Sequence, residues 1–402
     1  MTAFVSSPKT QLTDEDVRQI LRAYRLVLRT FEPIPRGTIN SNYKVHTDEG
    51  PLFLRVCEGK SPAQCAFEAD LIWRLGSHGV PTPALWRTPA GQPVLAASLR
   101  PATGSPQPKP VMLFSWVGGR ELDDASLDET HAYYVGELLA RMHLALSGVG
   151  REHPGIYTLR HIQGRLHGLR HDDACRADVG PVLDELSAEA AWLTRSRRRD
   201  LPTGMGHGDL FLDNLLFPRR KLRRRPSAGT TVRPDDTGWI LDLEQAATLP
   251  YAYDLAISLL ACCAPIPTEL AAALAATELP AADAESARAS DPPPAADAPL
   301  APDADAAGPL RLSTARAMLA GYQSLRALSP TEWAGLYAEL RCAALRFTVT
   351  RLTDVHGYGS AHPRKSAPGK DHREFLWRLR LLAASDEKRL LDELQGPLAD
   401  RI

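Results

Sequence analysis

A change in the spacing of apolar residues near Gly119 divides this sequence into two kinds of chain. From Phe31 to Glu58 apolar residues alternate in short runs, INSNYKVHT and PLFLRVCE, separated by DEG. That is the pattern of an antiparallel hairpin, whose side chains point alternately to two faces. A helix precedes it: Thr13 is its expected cap, Asp16 completes a capping-box pattern, and Val17, Ile20, Leu21 and Tyr24 fall on one face. A second helix comes after it, opened by Ser61 and Pro62, periodic to Leu75, and ended by Gly76 and Gly79. PVMLFSWVGG then reads as a buried strand ending at Trp116 and a glycine pair. Beyond Gly119 the period lengthens. SLDETHAYYVGELLARMHLAL has Ser126 as its expected cap with Glu129 three residues on, and residues from about Leu310 to Leu394 read as helix throughout. The expected class is α+β: a small antiparallel-sheet N-lobe over residues 1–115 and a larger, mainly helical C-lobe over 116–402.

Composition limits the partners. A formal net charge of −1 and a pI near 6.9 supply no global field toward nucleic acid or an anionic membrane. The first residues carry no basic and apolar signal pattern, and no apolar run approaches the ~18–20 residues of a membrane span, so a cytoplasmic protein is expected. The six cysteines lack CxxC or Cys/His ligand spacing, which suggests buried thiols rather than disulfides or a zinc site. Residues 219–238, opening with the basic run Arg219–Arg225, and the Ala/Pro/Asp-rich residues 265–309 read as flexible insertions. The basic run reads as a solvated loop; a role with nucleic acid is the less favoured alternative.

The chemistry concentrates in GHGDLFLDNLLF, residues 206–217. Asp209 and Asn214 stand five residues apart in a segment too short and too glycine-marked for a regular helix. Their oxygens suit a substrate hydroxyl and Mg²⁺. The apolar run after Asn214 and the later GWILDLEQA read as paired strands, which would bring Asn214 and Asp242 to one sheet edge. A carboxylate to accept a proton and two oxygen ligands for a metal are the protein parts that phosphoryl transfer needs.

HGDLFLDN followed by LDLE resembles the catalytic loop and metal-binding aspartate of the aminoglycoside phosphotransferase and choline kinase superfamily, relatives of the protein kinases. Within it, NSNY, YAYDLAISL, AMLAGYQSLRALSP and ALRFTVTRL resemble segments of the homoserine kinases of that fold, in the same order and over nearly the whole chain. The resemblance implies a bilobal protein-kinase-like fold, with ATP and Mg²⁺ as cofactors and a small hydroxyl compound as substrate. L-Homoserine is the favoured acceptor, which would place the chain in threonine biosynthesis. It further implies Asp209 as catalytic base, Asn214 and Asp242 as metal ligands, and His207 and Asp254 as supports of the loop. Arg36, Gly37 and Asn42 of RGTINSN would cover the nucleotide, Trp116 would lie at its cleft, and Arg55 paired with Glu68 would meet its phosphates.

Three features depart from the homoserine kinase pattern or leave it open. Leu212 stands where proline is usual, which loosens φ but removes no ligand. Glu244 stands where an aromatic is usual and is a substrate candidate, and together with Arg55–Glu68 it resembles aminoglycoside-type members. Arg346 and Arg351 lie on the helix that resembles the family's substrate-side wall, where either could meet a substrate carboxylate, although structural helix arginines are the favoured reading. His143 reads as a satisfied core histidine. The alternatives are an aminoglycoside- or choline-type small-molecule kinase and a non-catalytic kinase-like binding module; retention of Asp209, Asn214 and Asp242 argues against the second.

Overall fold

The computed structural model describes residues 9–35, 39–99, 105–124, 126–150, 152–219, 222, 237–266, 308–358 and 370–396. Arg36, Gly37, and nearly all of the two insertions at 219–238 and 265–309 therefore lie outside the described residues. The chain forms two compact units, one of Met1–Leu122 with Asp213–Ala246 and one of Asp123–Leu212 with Ala247–Ile402. The sequence division at 115/116 assigns residues 213–246 to the second part; by compactness they group with the first.

In the first unit, helix α1 (Asp14–Ala23) opens with the Thr13–Asp16 capping box and buries Val17, Ile20 and Leu21. These side chains pack on one face of a five-stranded antiparallel sheet of order β1-β2-β3-β5-β4. Its strands are β1 (Leu28–Ile34), β2 (Ser41–Thr47), β3 (Gly50–Val56), β4 (Leu95–Leu99) and β5 (Gln107–Ser115). Tyr43 and Val45 of β2, Leu52 and Leu54 of β3, and Val111 and Leu113 of β5 alternate toward α1, as a period of two requires. The expected hairpin is thus present, and β1, which begins three residues before Phe31, adds an edge strand. Helix α2 (Pro62–Ser77) starts from the Ser61–Gln64 capping box and runs two residues past Leu75; Gly79, at φ 72°, takes the left-handed turn beyond it.

The second unit is mainly helical: α3 (Glu129–Leu146), α4 (Leu159–Arg170), α5 (Asp173–Ser196), α6 (Tyr251–Cys263), α7 (Leu312–Gln323), α8 (Pro330–Thr350), α9 (His372–Ala384) and α10 (Glu387–Gln395). The cap of α3 is Asp128 rather than Ser126, because the Asp128 carboxylate accepts the His131 N–H at 2.9 Å and a charged acceptor is favoured at a helix start. Helix α6 is buried on every side, which fits its nearly unbroken apolar sequence. The long α8 packs on α5, α6 and α9. Among the described residues no helix is long and apolar enough to cross a membrane. All six cysteines are buried free thiols.

Helices α3 and α7 cross at their glycines. A Cβ at Gly136 would collide with the Met318 carbonyl, and one at Gly321 with the Tyr133 carbonyl. Both obstacles are backbone, so neither can swing aside. Gly136→Ala and Gly321→Ala are each expected to lower stability by about 1–3 kcal/mol or more through forced helix separation; a urea midpoint equal to the parent's in both variants would refute this packing.

Candidate functional site

The site residues fall in both units and are described in each separately. In the first, a short ladder pairs β7 (Leu215–Leu216) with β8 (Trp239–Ile240), and the Leu241 N–H donates to the Asn214 carbonyl at 2.9 Å. The ladder sets Asn214 and Asp242 at the same end of the strand pair. Gly238 enters it at φ 119°, where a Cβ would meet the Leu216 carbonyl. Asp242 itself is left-handed, at φ 54°. That backbone is costly for a residue with a Cβ and marks the position as one held by its surroundings.

Asp242 belongs to a buried charge network. Arg55 Nη1 donates to Glu68 at 3.0 Å and to Asp242 at 3.3 Å, with the Arg55 and Glu68 side chains only 8% and 4% exposed. This is a desolvated pair, not a solvated surface bridge. Lys60 Nζ lies 2.9 Å from Glu68 and 3.4 Å from Glu244. Asn40 Nδ2 donates to Glu244 at 2.8 Å, while its own oxygen accepts the Glu58 N–H at 3.2 Å. Burial would depress Arg55 and Lys60, but the carboxylates around them outweigh it and hold both charged. Glu244 is pushed up to about 7, by burial first and by the neighbouring Asp242 charge second. Among the described residues two cations thus face three carboxyl groups, and the oxygen donors suit a hard divalent cation at Asp242 and Asn214, with Glu244 beside them.

Of the other residues expected to meet a nucleotide, Asn42 and Trp116 are described. Register places Asn42 opposite Arg55, so the two share a face of the sheet. Trp116, 38% exposed, has Lys44 Nζ 4.7 Å from its ring centre. After it the chain pairs with the strand carrying Asn214: Arg120 and Phe217 exchange backbone hydrogen bonds at 2.8 and 2.9 Å. Lys60 and Asn40 carry no signal in the sequence. Lys60 sits in the turn before a helix cap, where a lysine is ordinary, and Asn40 closes a loop.

In the second unit, β6 (Thr203–Gly206) pairs with β9 (Ala247–Pro250) and delivers the chain to His207. Gly208 turns at φ 74°, and the carboxylate of Asp254, fully buried in α6, accepts the His207 and Gly208 N–H groups at 2.7 Å each. His143 Nε2 lies 2.9 Å from the same carboxylate, and its Nδ1 2.8 Å from the Tyr322 hydroxyl. An ionised carboxylate only accepts, so Nε2 carries the proton and Nδ1 takes the Tyr322 O–H. His143 is a satisfied core histidine, as expected. His207 Nδ1 accepts the Asp209 N–H at 3.3 Å. From the other side, Arg346 of α8 donates to the Gly208 carbonyl and lies 4.4 Å over the rings of Tyr157 and Phe347. Burial pushes the Tyr157 hydroxyl up to about 12. Arg351 is engaged with Glu374 and with the Asp371 carbonyl. The two arginines proposed to meet a carboxylate therefore have protein partners, because each is buried and needs an acceptor at once.

Burial alone would raise Asp254, yet the hydrogen bonds from His143 and the Gly208 N–H hold it below the ordinary carboxylate range; burial holds His143 below the ordinary histidine range despite Asp254. Both folded values lie below the unfolded ones, so the unfolded chain binds more protons and stability is lost as pH falls. For His143 that loss begins below about 6.5. The urea midpoint should drop from pH 7 to pH 5, and His143→Gln should shrink the drop; an unchanged pH slope in that variant would count against this coupling.

The profile of the phosphotransferase enzyme family, APH, matches residues 30–290. A homoserine kinase of Parvibaculum lavamentivorans is 27% identical over 383 residues, covering 92% of this chain and 94% of that protein. One of Methylorubrum populi is 29% identical over 354 residues, covering 86% and 87%. Among solved structures, a microcompartment-associated aminopropanol kinase is similar at a TM-score of 0.55 and 19% identity, over 95% of this chain and 99% of its own. An amicoumacin kinase in complex with AMP-PNP and Ca²⁺ is similar at 0.57 and 14%, over 94% and 97%. These structural likenesses carry the kinase-like fold, and with the family match over well over half of its length the chain belongs to the APH phosphotransferase enzyme family.

Proposed function

We propose that this chain is an ATP-dependent, Mg²⁺-requiring kinase that phosphorylates the hydroxyl of L-homoserine. The acceptor rests on its curated relatives, which are named homoserine kinases across 86–92% of this chain. The observation that carries the chemistry is the strand pair that sets Asn214 and Asp242 at one end, with Asp242 bonded to the buried Arg55–Glu68 pair.

In this reading Asn214 and Asp242 hold the metal, which when bound neutralises charge on the nucleotide phosphates. Arg55, fixed by Glu68, presents its guanidinium to those phosphates, and Lys60 offers a second cation from the same network. Arg36, Gly37, Asn42 and Trp116 complete the nucleotide contacts. The Asp209 carboxylate orients the acceptor hydroxyl and takes its proton. Asp254, His207 and Arg346 act through the loop: hydrogen bonds at both Gly208 backbone atoms keep Asp209 in one conformation before substrate arrives, which lowers the cost of positioning. Glu244, tied to Asn40 and Lys60, belongs to this charge network in preference to an amine-recognition role.

A coupled assay of ADP release against homoserine, choline, ethanolamine, sugars and an aminoglycoside panel tests the acceptor. Turnover should be highest with homoserine, and preference for any other alcohol would replace this reading. Asp209→Asn should lower kcat by about 10²–10⁴-fold, the usual scale for a general base; a fully active variant would discard the mechanism. Arg346→Met should reduce kcat while leaving the KM for homoserine nearly unchanged. A rise in KM alone would instead make Arg346 a substrate contact.

A further inference from the structure

Away from the loop of Asp209, the second unit brings together two histidines and an aspartate with no part in the phosphoryl transfer. Helix α8 ends in a π-helical turn, Arg351–Val355, with His356 as its cap. Such turns insert a residue and re-aim the chain beyond them, and they recur at functional positions. Asp371 caps α9 and His372 is its first residue. His356 Nε2 lies 3.2 Å from His372 Nδ1, and that Nδ1 lies 3.4 Å from Asp371 Oδ1; all three donor atoms fall within 4.8 Å of one another. Bonds of 2.0–2.1 Å to a tetrahedral Zn²⁺ place neighbouring donors about 3.4 Å apart. Both separations match that edge.

We propose that His356, His372 and Asp371 form a transition-metal site of the Zn²⁺ class, with three protein ligands and water as the fourth. Two imidazole nitrogens and one carboxylate oxygen suit Zn²⁺, Co²⁺ or Ni²⁺, whereas Mg²⁺ selects oxygen alone, so this site and the Asp242 site take different ions. The ligands sit at the ends of two helices and are half-buried, with the His372 and Asp371 side chains 12% and 17% exposed. Their directions are fixed from outside. Arg373 holds Asp371 Oδ2 through Nε and Nη2 at 2.9 and 2.6 Å, while Oδ1 accepts the Arg373 backbone N–H at 2.8 Å and keeps its second lone pair on the side of His372. The nearby Arg351 charge is answered by Glu374. Without metal, one ring simply donates its proton to the other. With metal bound, both lone pairs face the ion, and the end of α8 is tied to the start of α9.

Untagged protein, stripped with chelator and then dialysed against micromolar Zn²⁺ without nucleotide, should retain about one equivalent by elemental analysis, and Co²⁺ in its place should give the visible absorption of a low-coordinate site. His356→Ala and His372→Ala should each weaken binding by at least about tenfold to a hundredfold. Asp242→Asn should retain the equivalent, which separates this site from the catalytic metal. His372→Gln, with circular dichroism and Mg²⁺-dependent turnover like the parent's, distinguishes loss of a ligand from loss of the fold. Wild-type protein that holds no Zn²⁺, or histidine variants that hold as much as wild type, would overturn the proposal.

Discussion

The catalytic loop depends on one buried carboxylate. Asp254 is fully buried, and an isolated ionised carboxylate there would cost several kcal/mol or more. Its two oxygens meet the backbone N–H groups of His207 and Gly208 and the ring of His143, whose other nitrogen is answered by Tyr322. Because the charge is tolerable only with its donors in place, the loop geometry and the packing of α3, α6 and α7 are specified together. Oδ2 takes two donors, His207 N–H and His143 Nε2, and Oδ1 takes the Gly208 N–H, so losing any one weakens the solvation of a buried charge. Arg346 repeats the logic from the opposite side through the Gly208 carbonyl.

The first unit solves a related problem with opposite intent. Among its described residues Arg55 and Lys60 face Glu68, Asp242 and Glu244, and burial beside the Asp242 charge raises Glu244 above the ordinary carboxylate range. The left-handed backbone of Asp242 adds strain at the same place. By contrast, Glu58, Lys109, Ser41 and Thr10 form a buried cluster in which every charge has its partner, and it serves only to anchor the start of the chain to the sheet.

Much of the site was legible because its signals are local. Asp209 and Asn214 stand within one short loop, the glycines at 208 and 238 mark its turns, and Asp254 follows two aromatic residues on a helix whose apolar character declares it buried. Arg346 and Arg351 are readable as helix arginines, but their contacts are not. Their acceptors, the Gly208 carbonyl and Glu374, lie 138 and 23 residues away, and a guanidinium shows no preference among acceptors until it is buried. Ser126 lost the cap of α3 to Asp128 because both positions satisfy the same local rule and only the helix register separates them.

The sequence by itself determined the two kinds of chain, the helix starts at Thr13 and Ser61, and the residue types available for phosphoryl transfer, since each depends on spacing within a few residues. Only the tertiary structure decided that Glu244 meets Asn40 from 204 positions away, that Lys60 and Arg55 share Glu68, and that His356 meets His372. The physical reason is the same in each case. Periodicity and capping depend on energies between near neighbours, whereas a buried polar side chain takes whatever partner the packed fold brings within hydrogen-bond reach, and no local pattern encodes which one that is.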